Sequence, residues 1–226
     1  MSDKTSPHIA GRYAIIVALI GLIVTFGAVY LGHYLTISRE KTISEKDLNS
    51  GTFIDTRDSQ VYKWVRLKDG KKWMVENLNY ETTDSWCYNN EKTNCVEYGR
   101  LYTWDSAMRA CPNGWRLPTD VEFEKIISQY KGNSNNWRKN GSIAYKRLLK
   151  NGDSKFSALC GGIYHVNGSI HFPDFHDIGV DGYYWTCIEQ NSSYAKVCHF
   201  MSMDNFLLIR DFGKVTLGLS CRCLQD

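Results

Sequence analysis

Hydrophobic and polar positions divide the chain into three stretches with different periods. From Tyr13 to Ser38 no Asp, Glu, Lys or Arg appears, and YAIIVALIGLIVTFGAVYL within it is almost wholly apolar. A helix over residues 13–35 would be roughly 34 Å long, enough to cross a bilayer. The exit reads AVYLGHYLTIS, which lacks the short core and small-residue cleavage site of a secretory signal. The pattern therefore predicts a retained transmembrane anchor over residues 13–35, with residues 1–12 as a cytoplasmic tail. Lys4 and Arg12 precede the span and Arg39, Lys41 and Lys46 follow it, so basic residues leave its orientation open. Ala28 and Gly32 form a small-x-x-x-small pair that could bring two spans together, although lipid-facing filler is the simpler reading. Residues 36–50 mix both charge signs with Ser and Asn and show no apolar period, as a polar linker would.

From Gly51 the period shortens. VYKWVRL and KWMVENL alternate around Lys68-Asp69-Gly70, predicting a β-hairpin. The segment WCYNNEKTNC, bracketed by Cys87 and Cys95, is expected to be an irregular loop. LYTWDSAMRACPNG reads as a short helix stopped by Pro112 and Gly114. LPTDVEFEKIISQY opens a second helix with Thr119 three residues before Glu122, a capping box. Ser142 to Lys150 predicts one more short helix. The last stretch then alternates glycine turns with the aromatic strands FSALCGG, GYYWTCIEQ, AKVCHFM, FLLIRD and GLSCRCL. No internal repeat appears, so solenoids and propellers are excluded. The expected class is α+β, with residues 51–226 forming one domain.

Composition adds a compartment. The chain has 226 residues, 27 Lys plus Arg and 24 Asp plus Glu. Residues 1–50 hold five basic and four acidic residues, so the domain keeps 22 and 20, a net charge of +2. A nearly neutral domain has little attraction for nucleic acid. All eight Cys lie between Cys87 and Cys223. An even, dispersed set behind an anchor reads as disulfides formed in an oxidising space, which places the domain in the periplasm or on the cell surface. Zinc would need a C-x-x-C knuckle, and the tightest pair is Cys221-Arg222-Cys223. A Cys87–Cys95 bridge would close a loop of about eight residues and contribute roughly 2.5 kcal/mol through chain entropy.

The strings GTFIDTRDSQVYKWV, WMVENLNYETTDSWCYNNEKTNC, YGRLYTWDSAMRACPNGWRLPTDVEFEKI, FSALCGG, YYWTCIEQNSSYA and SCRCLQD resemble, in order, the Fibrobacter succinogenes major paralogous domain. The resemblance covers Gly51 to Asp226 and implies a secreted or surface-tethered bacterial domain. It also implies a C-type-lectin-like fold with two main helices and short antiparallel strands. That architecture implies a Cys111–Cys223 bridge joining the first helix to the last strand, worth about 4.8 kcal/mol for its long loop. Cys160, Cys187, Cys198 and Cys221 depart from the family's usual pattern, and two additional disulfides are the expectation for them. Cys187 and Cys198 flank the turn-rich IEQNSSYAKV, leaving Cys160 with Cys221, although eight cysteines allow 105 pairings.

The residues favour binding over catalysis. Trp86, Tyr88, Tyr183, Tyr184 and Tyr194 fall in loops or beside turns and form the expected contact surface for a polysaccharide or an envelope protein. Trp185 and Trp115 read as core. The Glu-Pro-Asn and Trp-Asn-Asp signatures of calcium-dependent lectins are missing. His171, Asp174, His176, Asp177 and Asp181 crowd one turn-rich stretch without a known metal-ligand spacing, and His165 and His199 each stand alone on a strand. No cofactor or metal is therefore expected. A structural subunit of the cell envelope is the first alternative. The second is a thiol-dependent oxidase akin to formylglycine-generating enzymes, with Cys221 and Cys223 its nearest candidates. No nucleophile-base motif or phosphate loop appears, so no catalytic residue is assigned.

Overall fold

A computed structural model describes residues 24–36, 49–166, 168 and 174–226. The chain divides into two units, residues 1–48 and residues 49–226.

In the first unit, residues 24–36 form helix α1. Phe26, Val29, Tyr30, Leu31 and Leu35 on it are all exposed. The tail 1–12, residues 13–23 of the expected span and residues 37–48 of the linker lie outside the described residues. Among the described residues no helix is long and apolar enough to cross a membrane.

The second unit is mixed α and β. It runs β1 (Ser50–Ile54), β2 (Val61–Arg66), β3 (Lys72–Met74), β4 (Ser85–Trp86), α2 (Lys92–Tyr98), β5 (Leu101–Tyr102), α3 (Trp104–Ala110), α4 (Asp120–Tyr130) and α5 (Trp137–Leu148). It continues through β6 (Gly161–His165), β7 (Phe175–Ile178), β8 (Gly182–Glu189), β9 (Tyr194–Met201), β10 (Phe206–Gly213), β11 (Leu217–Ser220) and β12 (Leu224–Gln225). One sheet has the order β1-β2-β3-β12, and a larger one has the order β10-β9-β8-β11-β5-β4, with β6 joining β11 to β7. The predicted hairpin is the antiparallel pair β2–β3, in which Val65 faces Trp73. β12 pairs with β3, so the end of the chain closes the sheet begun near residue 50.

The larger sheet is buried on both faces at its centre, β8, where successive side chains point to opposite sides. On β8, Tyr183 and Trp185 enter one apolar cluster with Tyr102, Ala107 and Leu219. Tyr184, between them, enters a second cluster with Phe123, Phe156 and Phe200. The final segment alternates likewise: Cys221 and Cys223 join the first cluster and Leu224 the second. Arg222 is fully buried. Its guanidinium donates to the carbonyls of Met74, Val75 and Phe156 at 2.6–3.0 Å and to Asn77 Oδ1 at 2.6 Å. It also lies over the Phe156 ring at 4.8 Å. No carboxylate bonds this cation among the described residues; oriented carbonyls and π faces satisfy it instead.

Thr119 starts α4 as predicted: Glu122 N donates to Thr119 Oγ1 at 3.1 Å, and Thr119 N donates to Glu122 Oε2 at 2.7 Å. Two helical expectations need correction. The Cys87–Cys95 loop is regular, with a 3-10 turn at Tyr88–Asn90 followed by α2. Helix α5 begins at Trp137, ahead of the predicted Ser142, because Asn136 Oδ1 caps it by accepting from Lys139 N at 3.2 Å. In the FSALCGG stretch, strand β6 begins only at Gly161.

Cys87–Cys95 and Cys111–Cys223 are disulfide-bonded. The pairings Cys187–Cys198 and Cys160–Cys221 are not formed; all four thiols are free. A register shift between Trp185 and Glu189 leaves Cys187 packed against the first cluster, while Cys198 lies in the second, across the sheet. Cys221 is inside the first cluster, whereas Cys160 lines a shallow cleft with Tyr98, Leu149 and Lys150.

Candidate aromatic binding cleft

The expected aromatic surface does not form. Tyr183 and Tyr184 are 6% and 0% exposed, and Tyr88 is buried against Phe175 at 5.2 Å between ring centroids. Trp86 is half-buried on Tyr164 at 4.7 Å. Tyr194 is 48% exposed but stands apart from these four at the start of β9.

The buried tyrosines are held by hydrogen bonds as well as packing. Tyr184 OH donates to the Leu159 carbonyl at 2.7 Å. Tyr183 OH donates to Asp177 Oδ2 at 2.8 Å, and its ring stacks on His199 at 4.1 Å. A polar chain grows outward from there. His199 Nε2 meets Asp181 Oδ2 at 2.9 Å, His176 Nδ1 meets Asp177 Oδ2 at 2.8 Å, and His176 Nε2 lies 3.0 Å from His165 Nε2. Burial holds His199 below its ordinary pKa against the opposing pull of Asp181. Burial, followed by the neighbouring His176, does the same to His165. Burial and the bond to Asp177 push the Tyr183 phenol upward. The two histidines read as isolated in the sequence are thus parts of a network linking β6, β7, β8 and β9. Among the described residues no group of three or more His, Cys, Asp or Glu is arranged to hold a metal ion. His171, which the sequence set beside this group, lies outside the described residues.

An accessible aromatic site lies elsewhere. Trp137, Arg138, Met201, Asp204, Phe206 and Leu208 line a cleft of about 310 Å³, at the small end of the range for ligand sites. Asn136 fixes the start of α5 and so sets where Trp137 stands. The β9–β10 turn supplies the opposite wall, with Phe206 paired to Met201 in register and Asn205 in the left-handed region at φ 49°. Leu207 turns inward to the second cluster, which leaves Phe206 and Leu208 facing the cleft. Trp137 is 64% exposed, its ring edge-on to Phe206 at 5.5 Å, and the Arg138 guanidinium sits over the indole at 5.3 Å. Gly141 makes room for this wall: a Cβ there would come 2.0 Å from the Phe206 ring.

The sequence model described as the Fibrobacter succinogenes major domain matches residues 60–225. The chain belongs to that family. No curated protein matches the chain, and no solved structure does. The Fibrobacter succinogenes major domain of this chain includes both disulfides, the histidine network and the whole cleft, and leaves out β1. Trp137 escaped the sequence reading because NSNNWRKNG carries one aromatic residue among polar ones. The available signal was the Asn136 cap, which turns a polar stretch into a helix start with an outward Trp.

Proposed function

We propose that this Fibrobacter succinogenes major domain is an extracytoplasmic binding module, tethered to the membrane, that takes a glycan in the Trp137 cleft. The observation that carries the reading is an exposed indole braced edge-on by Phe206, with a guanidinium and a carboxylate on the same rim. A sugar ring offers its C–H face to an indole, while its hydroxyls take hydrogen bonds from Arg138 and give them to Asp204. The two disulfides favour an oxidising compartment. The anchor reading rests on the uncharged sequence Tyr13–Ser38 and on the exposed apolar side chains of α1. Among the domain's described residues, which hold four α-helices, the order of α3, α4, mixed strands and a disulfide from the end of α3 to the start of the last strand supports a C-type-lectin-like fold. Binding is preferred to thiol catalysis, since Cys223 is in a disulfide and burial drives the Cys221 thiol far upward.

The test is retention of the detergent-solubilised full chain on immobilised bacterial and plant polysaccharides. Wild type should be retained on at least one, and Trp137→Ala should lose retention at least tenfold while its melting temperature falls by only a few degrees. No retention on any glycan, or retention untouched by Trp137→Ala, would overturn the glycan reading; an envelope protein captured through Trp137 would replace it.

A further inference from the structure

The two disulfides differ in what faces their sulfurs. Cys223 is fully buried in the first apolar cluster and Cys111 is half-buried against it, and their bridge, which ties positions 112 residues apart, has apolar neighbours. Cys87 and Cys95, 7% and 4% exposed, are bridged across eight residues and line the floor of a cleft of about 390 Å³ with Asp58, Asn79, Tyr80, Glu81, Lys92 and Arg100. Arg100 Nη1 lies 3.4 Å from Cys87 Sγ and 3.6 Å from Cys95 Sγ. Its guanidinium is positioned from behind: Nε donates to Ser85 Oγ at 3.1 Å, and Nη2 pairs with Glu81 at 2.9 Å. The side chain is only 11% exposed, so its charge is poorly screened by water. Guanidinium has no lone pair and only donates, so toward a sulfur it acts as a fixed positive charge.

A neutral disulfide gains little from that charge, whereas a thiolate gains much. Exchange proceeds by thiolate attack on one sulfur, and its rate rises as the departing thiol becomes more acidic. A neighbouring Arg makes a thiol more acidic. We propose that Cys87–Cys95 is a thiol-exchange site, reduced by a dithiol that enters the Tyr80–Lys92 cleft, with Arg100 holding the departing Cys87 thiolate. The dithiol's thiolate bonds to Cys95 Sγ as the Cys87–Cys95 bond breaks, and the bonding pair leaves on Cys87 Sγ beside Arg100. The dithiol's second thiolate then displaces Cys95. The dithiol ends as a disulfide, and Cys87 and Cys95 end as thiols after taking up the two protons it released. Reduction would free the 3-10 turn that carries Tyr88 against Phe175. Arg100 is a positioning residue here, and the proposal is independent of the glycan reading.

Dithiothreitol is the probe, applied to the solubilised full chain under native conditions, with acid quenching, alkylation and peptide mass mapping. Cys87–Cys95 should open at least tenfold faster than Cys111–Cys223 in the same molecules. Arg100→Met should slow that opening severalfold and move the alkylation pH profile of reduced Cys87 upward, and Arg100→Lys should restore part of both. Equal opening of the two disulfides, or an Arg100→Met rate equal to wild type, would overturn the proposal. Should Arg100→Met fail to fold, the wild-type alkylation profile decides. A half-point below pH 7.5 supports the site, and one near the ordinary thiol value of about 8.5 overturns it.

Discussion

The aromatic run Tyr183-Tyr184-Trp185 and the aromatic pair Trp137 and Phe206 differ in their surroundings more than in their chemistry. The run lies on β8 between β9 and β11, where both sheet faces are covered and alternate side chains enter separate clusters. The pair stands where a helix start meets the end of a hairpin, and Trp137 stays 64% exposed with only Phe206 at its edge and Arg138 over its ring. Aromatic density therefore marks core where strands are central, and a lone capped Trp marks surface. The sharpest way to break the comparison is Trp185→Ala. It removes a fully buried indole whose Nε1 donates to the Tyr102 carbonyl at 2.7 Å. The expected loss is about 3–5 kcal/mol in urea unfolding, from the cavity and the orphaned carbonyl. A loss below 1 kcal/mol would mean that β8 is not the spine of the domain.

The two-faced sheet also decides the cysteines. Alkylation of the denatured, non-reduced chain should add four labels, from Cys160, Cys187, Cys198 and Cys221; zero labels would restore the two additional bridges. Cys198→Ser would bury a hydroxyl inside an apolar cluster and should cost about 1–3 kcal/mol. Cys187→Ser, at a half-buried position, should cost less. Burial lifts the Cys198 and Cys221 thiols far above the ordinary range, so native alkylation should be slowest at these two.

How much of this was legible follows from the range of each signal. The Thr119 capping box and the turn at Asp69-Gly70 are written within four residues, and the structure has both. The α+β class and the Cys87–Cys95 and Cys111–Cys223 bridges were also readable, the second through the family's architecture. Which face of β8 each side chain meets is set by β9 and β11, and β11 follows Tyr184 by more than thirty residues. Local pattern therefore puts Tyr183 and Tyr184 at the surface and pairs Cys187 with Cys198, whereas the sheet does neither. The cleft joins α5 to the β9–β10 turn, again across a long separation, so no local pattern announced it.

A pH series probes the frame that holds the buried side. Glu122 takes Arg116 at 2.7 Å and Lys71 at 2.7 Å, and Asp226 at the chain's end shares both cations. Burial alone would raise the Glu122 carboxyl, but the bonds from Arg116 and Lys71 outweigh it and bring it down to about 2 from 4.5. A depressed carboxyl stabilises the fold fully above its unfolded pKa and loses that contribution as protons return. Stability from this clamp should thus be intact above pH 4.5 and fall as pH drops toward 2. Glu122→Gln should flatten that fall in urea midpoints measured from pH 6 to pH 2.5; an unchanged slope would remove the clamp from the account. The cleft has no part in this, so ligand retention should not follow the Glu122 substitution at neutral pH.

The smallest stability effects belong to the exposed aromatics, and they separate site from surface. Trp137→Ala forfeits one edge-on contact with Phe206 and little burial, which should cost about 0.5–1.5 kcal/mol. Tyr194→Ala, at a half-exposed strand start, should stay within about 0.5 kcal/mol. Their effects on binding should diverge: Tyr194 does not line the cleft, so its loss should leave glycan retention unchanged where Trp137→Ala abolishes it. If Tyr194→Ala weakens retention as much as Trp137→Ala, exposed aromatic area in general is what binds. The ordered rim of Arg138, Asp204 and Phe206 would then have no special place in recognition.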